Sequence, residues 1–123
     1  MTSIQGGLVT TDAVIKQKPA LIAKFIRSSL KGLNFFLTNR EPSIKYMMDI
    51  MKYKDHDLAA AIYNYDSKFL LREGSTSDKL LQEIIEDTRN TVGIKREFSV
   101  NEVFDLSFVR KANKDLKASG WKP

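Results

Sequence analysis

The chain has 123 residues, of which 42% are hydrophobic and 28% charged, and it contains no cysteine. This length suffices for one domain with a modest core, over residues 1–123, and the hydrophobic content argues against a disordered chain. The lack of cysteine excludes disulfide frameworks, thiolate zinc sites, iron–sulfur clusters and cysteine nucleophiles. The sequence contains no apolar run long enough to span a bilayer and no signal-peptide pattern.

The net charge of +5 is distributed in blocks. Residues 1–54 carry nine basic against three acidic residues, residues 55–107 six against eleven, and residues 108–123 five against one. Basic ends could bind nucleic acid, but the basic residues lack the interleaved aromatics that stack on bases. The pattern is more typical of solvated helix faces, and we expect no nucleic-acid partner.

The first predicted element is a short strand. Residues 7–15 (GLVTTDAVI) follow a pair of glycines and are rich in β-branched side chains, which favours a strand. A single strand cannot satisfy its own backbone hydrogen bonds. We therefore expect residues 7–15 to pair with another chain or with sequence outside this one.

The regular elements after this strand are all predicted to be helices, because apolar residues recur at spacings of three and four. In the first long helix, Asn34 falls on the polar side, and Gly32 suggests a close packing contact. Asp55 and Ser99 are predicted N-caps, Ser99 within a capping box, and Gly93 is a predicted C-cap. The fold class is mainly α, with about six helices at 20–39, 42–53, 55–66, 77–92, from 99, and 105–119.

No catalytic or metal-binding constellation is apparent. His56 is the only histidine and lies between Asp55 and Asp57, but adjacent helical side chains point about 100° apart and cannot readily converge on one ion. The serines have no local base, and the carboxylates Glu83, Glu86 and Asp87 fit a solvated helix face. The residues themselves predict neither an enzyme nor a metal or cofactor site.

Three stretches together resemble a known family. They are GLVTTD with KPALIAKFIRSSLKGL near the N-terminus, residues 59–65 with the Glu73-Gly74 turn, and VFDLSFVRKAN with the final GWKP. Their order and spacing resemble the C-terminal part of ABC-transporter substrate-binding proteins of the nitrate/sulfonate/taurine and thiamine-pyrimidine-precursor type.

The resemblance implies a fragment of lobe I of a two-lobed α/β periplasmic-binding-protein fold (type II). The parent protein would then capture a small solute outside the inner membrane and deliver it to an ABC permease. Gly6 and Gly7 would lie next to the hinge and contribute to ligand binding, and residues 7–15 would join the sheet of lobe I.

Two further expectations accompany this interpretation. The isolated chain is expected to form a homodimer through residues 7–15, because their sheet partners would be missing. The alternative function is a free-standing helical module that binds a protein partner through an exposed apolar groove or strand edge.

Overall fold

The computed structural model of the protein describes residues 6–123. In this range 68% of the residues are helical and no strand is present, which confirms the mainly α fold class. The seven helices are α1 Asp12–Gln17, α2 Pro19–Thr38, α3 Arg40–Met51, α4 His56–Asp66, α5 Asp78–Val92, α6 Val100–Val103 and α7 Ser107–Ala118. Six of them correspond to the six predicted helices, and α1 is the additional one.

The predicted strand at residues 7–15 is wrong. Residues 7–11 have no regular structure, and Asp12 begins α1. The Thr11 hydroxyl oxygen accepts a hydrogen bond from the backbone N–H of Val14 at 3.3 Å, and Asp12 places a negative charge in the first turn, where the helix dipole favours it. These local capping interactions determine the conformation because no neighbouring strand is present to reward an extended one.

The start of α4 and the end of α5 follow their predicted caps. Asp55 Oδ1 accepts hydrogen bonds from the N–H groups of Asp57 at 2.8 Å and Leu58 at 3.2 Å. At the C-terminus of α5, Gly93 ends the helix in the left-handed conformation with φ of 73°, which a residue without a Cβ adopts at little cost. Local caps therefore specify where α4 begins and where α5 ends.

The predicted capping box at Ser99 is also present. Glu102 Oε2 accepts hydrogen bonds from the Ser99 backbone N–H at 2.8 Å and from its hydroxyl at 3.0 Å. These two hydrogen bonds, together with the Arg96 guanidinium 2.5 Å from Oε1, hold the pKa of the Glu102 carboxyl below its usual value. These interactions therefore favour the charged form of the carboxylate.

Two separate clusters of buried side chains form most of the core, and Leu81, Ile84 and Ile85 of α5 are buried outside both clusters. The first joins α2 to α7 and comprises Leu30, Val109, Ala112 and Leu116. The second joins α3 to α4 and comprises Ile44, Ala59 and Tyr63, with Phe36 of α2 packed against it. Helix α2 contributes to both clusters and is the element that connects them.

One backbone carbonyl connects three helices in the second cluster. The carbonyl oxygen of Phe36 accepts hydrogen bonds from the Tyr63 hydroxyl at 2.7 Å and from the Ser43 hydroxyl at 3.2 Å. Ser43 is almost fully buried, and this hydrogen bond satisfies a hydroxyl that would otherwise be costly to bury. The burial of Ser43 is therefore explained by its place in this packed cluster.

The loop between α4 and α5 is bound to α2 and α7 by two asparagines. Asn34 Nδ2 donates to the carbonyl of Arg72 at 3.0 Å, and Asn113 Nδ2 donates to the carbonyl of Glu73 at 2.8 Å. The assignment of Asn34 to the solvated side of α2 is therefore wrong, because its amide is half-buried and contacts this loop.

Gly74 follows these two residues and lies over the first core cluster. Its φ is +65°, and a Cβ placed on it would lie 2.9 Å from Leu30 Cδ2 and 3.3 Å from Val109 Cγ2. Gly32 is different, since a Cβ there would have no neighbour within 4 Å. The expected close packing contact at Gly32 is thus wrong, and the position that requires glycine is Gly74.

Replacing these two glycines should have opposite effects on stability. Gly74→Ala should lower the free energy of unfolding by about 1–3 kcal/mol, because it combines backbone strain with overpacking. Gly32→Ala should raise it by about 0.5–1 kcal/mol, the usual gain at an unobstructed helix interior. Urea denaturation followed by circular dichroism measures both changes. A Gly74→Ala variant as stable as the wild type would contradict the packing described above.

Candidate binding site

A wide apolar trough runs between α2 and α5. Its volume is about 970 Å³, at the upper end of the range for ligand sites. Ile26, Leu30 and Leu33 line it from α2, while α5 contributes Leu81, Ile84, Ile85, Thr88, Arg89 and Val92. Residues 6–9, the loop before α5 and residues 94–109 complete the lining, with Leu8, Val9, Leu71, Ile94, Phe98, Val103, Phe104, Leu106 and Val109 as its apolar side chains.

Helix α5 does not pack directly against the long helices on the other side of the trough. No Cα atom of α5 lies within 8 Å of a Cα atom of α2 or α7, and the only helix this close to α5 is α6. Helices in direct contact have axes 8–10 Å apart, so their facing Cα atoms lie closer than this limit. The apolar faces of α2 and α5 therefore face each other across a gap.

Among the described residues that line the trough, Arg89 is the one with a basic side chain. Its Nη1 donates to the carbonyl of Lys95 at 3.1 Å, whereas its Nε is buried and has no hydrogen-bond partner among residues 6–123. No carboxylate forms an ion pair with Arg89 within residues 6–123. A half-buried guanidinium without a counter-charge is unfavourable, so Arg89 marks a place where an acceptor or an anion would be stabilised.

The structure places Gly6 and Gly7 in the lining of the trough, together with Leu8 and Val9. Both glycines are exposed, and a Cβ on either would have no neighbour within 4 Å. Leu8 is 63% exposed and Val9 96% exposed. This segment therefore presents apolar side chains to solvent beside the trough. The hinge-adjacent role of the two glycines stays a prediction.

The side chains considered for catalysis are dispersed. His56 is about half exposed, with Nε2 3.3 Å from Glu41 Oε2, and Ser28 and Ser29 are exposed on α2. Within the part of the chain that the structure describes, no group of three or more His, Asp or Glu side chains could hold a metal ion. None of the described helices is both long and apolar enough to cross a membrane.

Comparison with known proteins identifies no relative of this chain. No protein-family model matches it, no curated protein is significantly similar to it, and no solved structure matches its fold significantly.

Replacing His56 should have almost no effect. His56→Ala removes only solvent-exposed contacts with Glu41 and Asp57, and such surface changes alter stability by about 0.5 kcal/mol or less. As a contrast, Tyr63→Phe removes a buried hydroxyl from the Phe36 carbonyl and should cost about 1 kcal/mol. Thermal and urea unfolding compare the two variants. A large loss of stability or of any binding activity in His56→Ala would show that this histidine has a role that the structure does not explain.

Proposed function

We propose that this chain is the C-terminal helical part of lobe I of an ABC-transporter substrate-binding protein. The parent protein captures a small solute in the periplasm or an equivalent extracytoplasmic space and delivers it to an ABC permease. The proposal rests on the resemblance of residues 7–33, 59–74 and 103–123 to that family and on one structural observation, the open apolar trough between α2 and α5.

The trough supports this proposal because of its shape. Apolar helix faces must be buried against another layer, and α/β domains bury them against both faces of a sheet. Helices α2 and α5 present facing apolar surfaces, with Leu33 on one side and Ile84 on the other, and no described strand lies between them. A sheet supplied by the rest of a lobe would fill the gap.

The proposed mechanism is closure of two lobes about a hinge. Solute binds better to the closed arrangement than to the open one, and this difference in affinity shifts the population toward closure. This chain's contribution is the outer helical layer of one lobe, and Gly6–Gly7 lie where the backbone crosses from the second lobe. No side chain of this chain is assigned a chemical step, and the proposal includes no enzyme activity and no cofactor.

A free-standing protein-interaction module is the second candidate, and Arg89 favours it. The unpartnered Nε of Arg89, set among aliphatic side chains, suits an amphipathic partner that carries a carboxylate. An amphipathic helix lying in an apolar groove is a recurring way of recognising peptides. This candidate uses the same trough but requires no second lobe.

The coding sequence that precedes residue 1 separates the two candidates. The transport proposal expects an in-frame region that encodes the remainder of two lobes and a secretory or lipoprotein signal. The complete polypeptide should then gain thermal stability from one class of small solute, since a ligand that binds only the folded state raises its stability. A preceding region that encodes no such lobes would contradict the proposal.

A second measurement tests the trough directly. When the preceding segment and this chain are produced as separate polypeptides, they should form a one-to-one complex. Leu33→Asp places a charge in the trough and should abolish the complex, whereas Phe69→Asp, on an exposed side chain outside the trough, should leave it intact. Circular dichroism of each variant alone verifies that the helices are retained. A complex that tolerates Leu33→Asp would show that the trough is not the contact surface.

The isolated chain should self-associate, although the reason differs from the one expected from the sequence. Residues 7–15 offer no strand edge, but Leu8 and Val9 remain exposed, and burying such a side chain contributes about 1.5–3 kcal/mol. Light scattering over a range of concentrations should detect a dimer. The double change Leu8→Asp with Val9→Asp should shift it toward monomer, and Leu58→Asp, exposed on α4, serves as the control. A wild-type chain that stays monomeric throughout would refute the prediction.

A further inference from the structure

We propose that the outward face of α2 docks on the surface of a bilayer that contains anionic phospholipids. This face lies on the side of α2 away from the trough, and the proposal does not depend on the transport function. It rests on a stretch of exposed apolar side chains next to cations that have no acidic partners.

The apolar part of this surface is a single stripe along α2. Leu21, Phe25 and Phe35 are 59%, 57% and 45% exposed. Together with Ser28 and Gly32, they follow spacings of four, three, four and three residues, which place them on one side of a helix. The stripe therefore extends about 21 Å along the helix at the standard rise per residue. Ser28 and Gly32 at the centre of the stripe are small. The larger side chains therefore project from its two ends, Leu21 and Phe25 at one end and Phe35 at the other.

The charged part of the surface runs beside this stripe. Lys24, Arg27 and Lys31 follow one another at spacings of three and four residues, and the first two are exposed. The Nζ of Lys31 lies 5.6 Å from the centre of the Trp121 ring. None of these three cations forms an ion pair with another residue in the range 6–123.

The surrounding sequence maintains the positive potential. Residues 13–40 contain six basic residues and no acidic one. Across a small cleft of about 150 Å³, α7 adds Lys111 and Asp115, and these two pair with each other at 2.9 Å. Because the charges of Lys111 and Asp115 cancel, the cleft has the net positive charge of Lys24 and Arg27, and these two side chains are available to an external anion.

This combination favours a lipid surface over a nucleic acid. Both offer phosphates to Lys24 and Arg27, but only a bilayer also offers an acyl boundary in which Leu21 and the two phenylalanines are buried. A helix with aromatic and aliphatic side chains on one face and Lys or Arg beside them is the usual form of an interfacial helix. Stacking on bases would not remove Leu21 from water.

Co-sedimentation of the full chain with lipid vesicles tests the proposal. The chain should bind vesicles of phosphatidylglycerol mixed with phosphatidylcholine and should bind phosphatidylcholine alone much more weakly. Binding should fall as salt rises from about 0.1 M to about 1 M, because the screening length then shortens from about 10 Å to about 3 Å. Equal binding to both kinds of vesicle, or none to either, would overturn the proposal.

Matched variants locate the contact. Lys24→Gln with Arg27→Gln should lower the partition coefficient about 25-fold, since each basic residue near an anionic surface contributes about fivefold. Lys68→Gln with Lys95→Gln removes the same charge from exposed positions elsewhere and should change it far less. If both pairs reduce binding equally, the effect is one of net charge, and the α2 face is not the docking surface.

The apolar contribution has its own control. Leu21→Ala with Phe25→Ala preserves charge without lowering helix propensity and should also reduce vesicle binding, whereas Phe69→Ala with Leu70→Ala, exposed outside α2, should not. A parallel titration with single-stranded RNA provides the competing outcome. RNA binding that exceeds vesicle binding and is insensitive to Leu21→Ala with Phe25→Ala would overturn the lipid assignment.

Discussion

The position of α5, and with it the far wall of the trough, depends on how the loop over residues 72–74 is held. Asn34 and Asn113 extend from different helices and bind consecutive carbonyls of this loop, so the loop spans α2 and α7 at their point of contact. Gly74 can then approach the first core cluster more closely than any residue with a side chain. Asp78, at the start of α5, continues the attachment through an ion pair with Arg110 at 2.6 Å.

Periodicity and capping predicted the long helices well because both depend on neighbouring residues. Helix α5 begins after Ser77 and ends at Gly93 as expected, since a cap needs only the residues around it. The failures at residues 7–15 and at Asn34 have a common cause. Contacts with residues distant in the sequence determine whether a β-rich segment is extended and whether an amide faces water. The local spacing of residues does not reveal these contacts.

The trough could be anticipated only in part. The apolar faces of the helices that carry Leu33 and Ile84 were evident from their spacing, but their separation was not, because it depends on the loop that connects α4 to α5. Arg89 was also missed as part of the lining, since an arginine at the end of an amphipathic helix normally reads as a solvated residue near the C-terminus. The signal available in the sequence was that Arg89 lies in register with the apolar face of α5, which indicates a place in the lining.

The division of the core into two clusters has a consequence for how the molecule opens. The cluster around Ile44 is built from α3, α4 and the end of α2, whereas the cluster around Leu30 is built from α2 and α7. Proteins commonly lose structure in cooperative units that coincide with such local assemblies. The α3–α4 pair can thus exchange its amide protons as one unit while α2 and α7 remain paired. Thermal motion would then detach the α3–α4 pair from the end of α2 before global unfolding occurs.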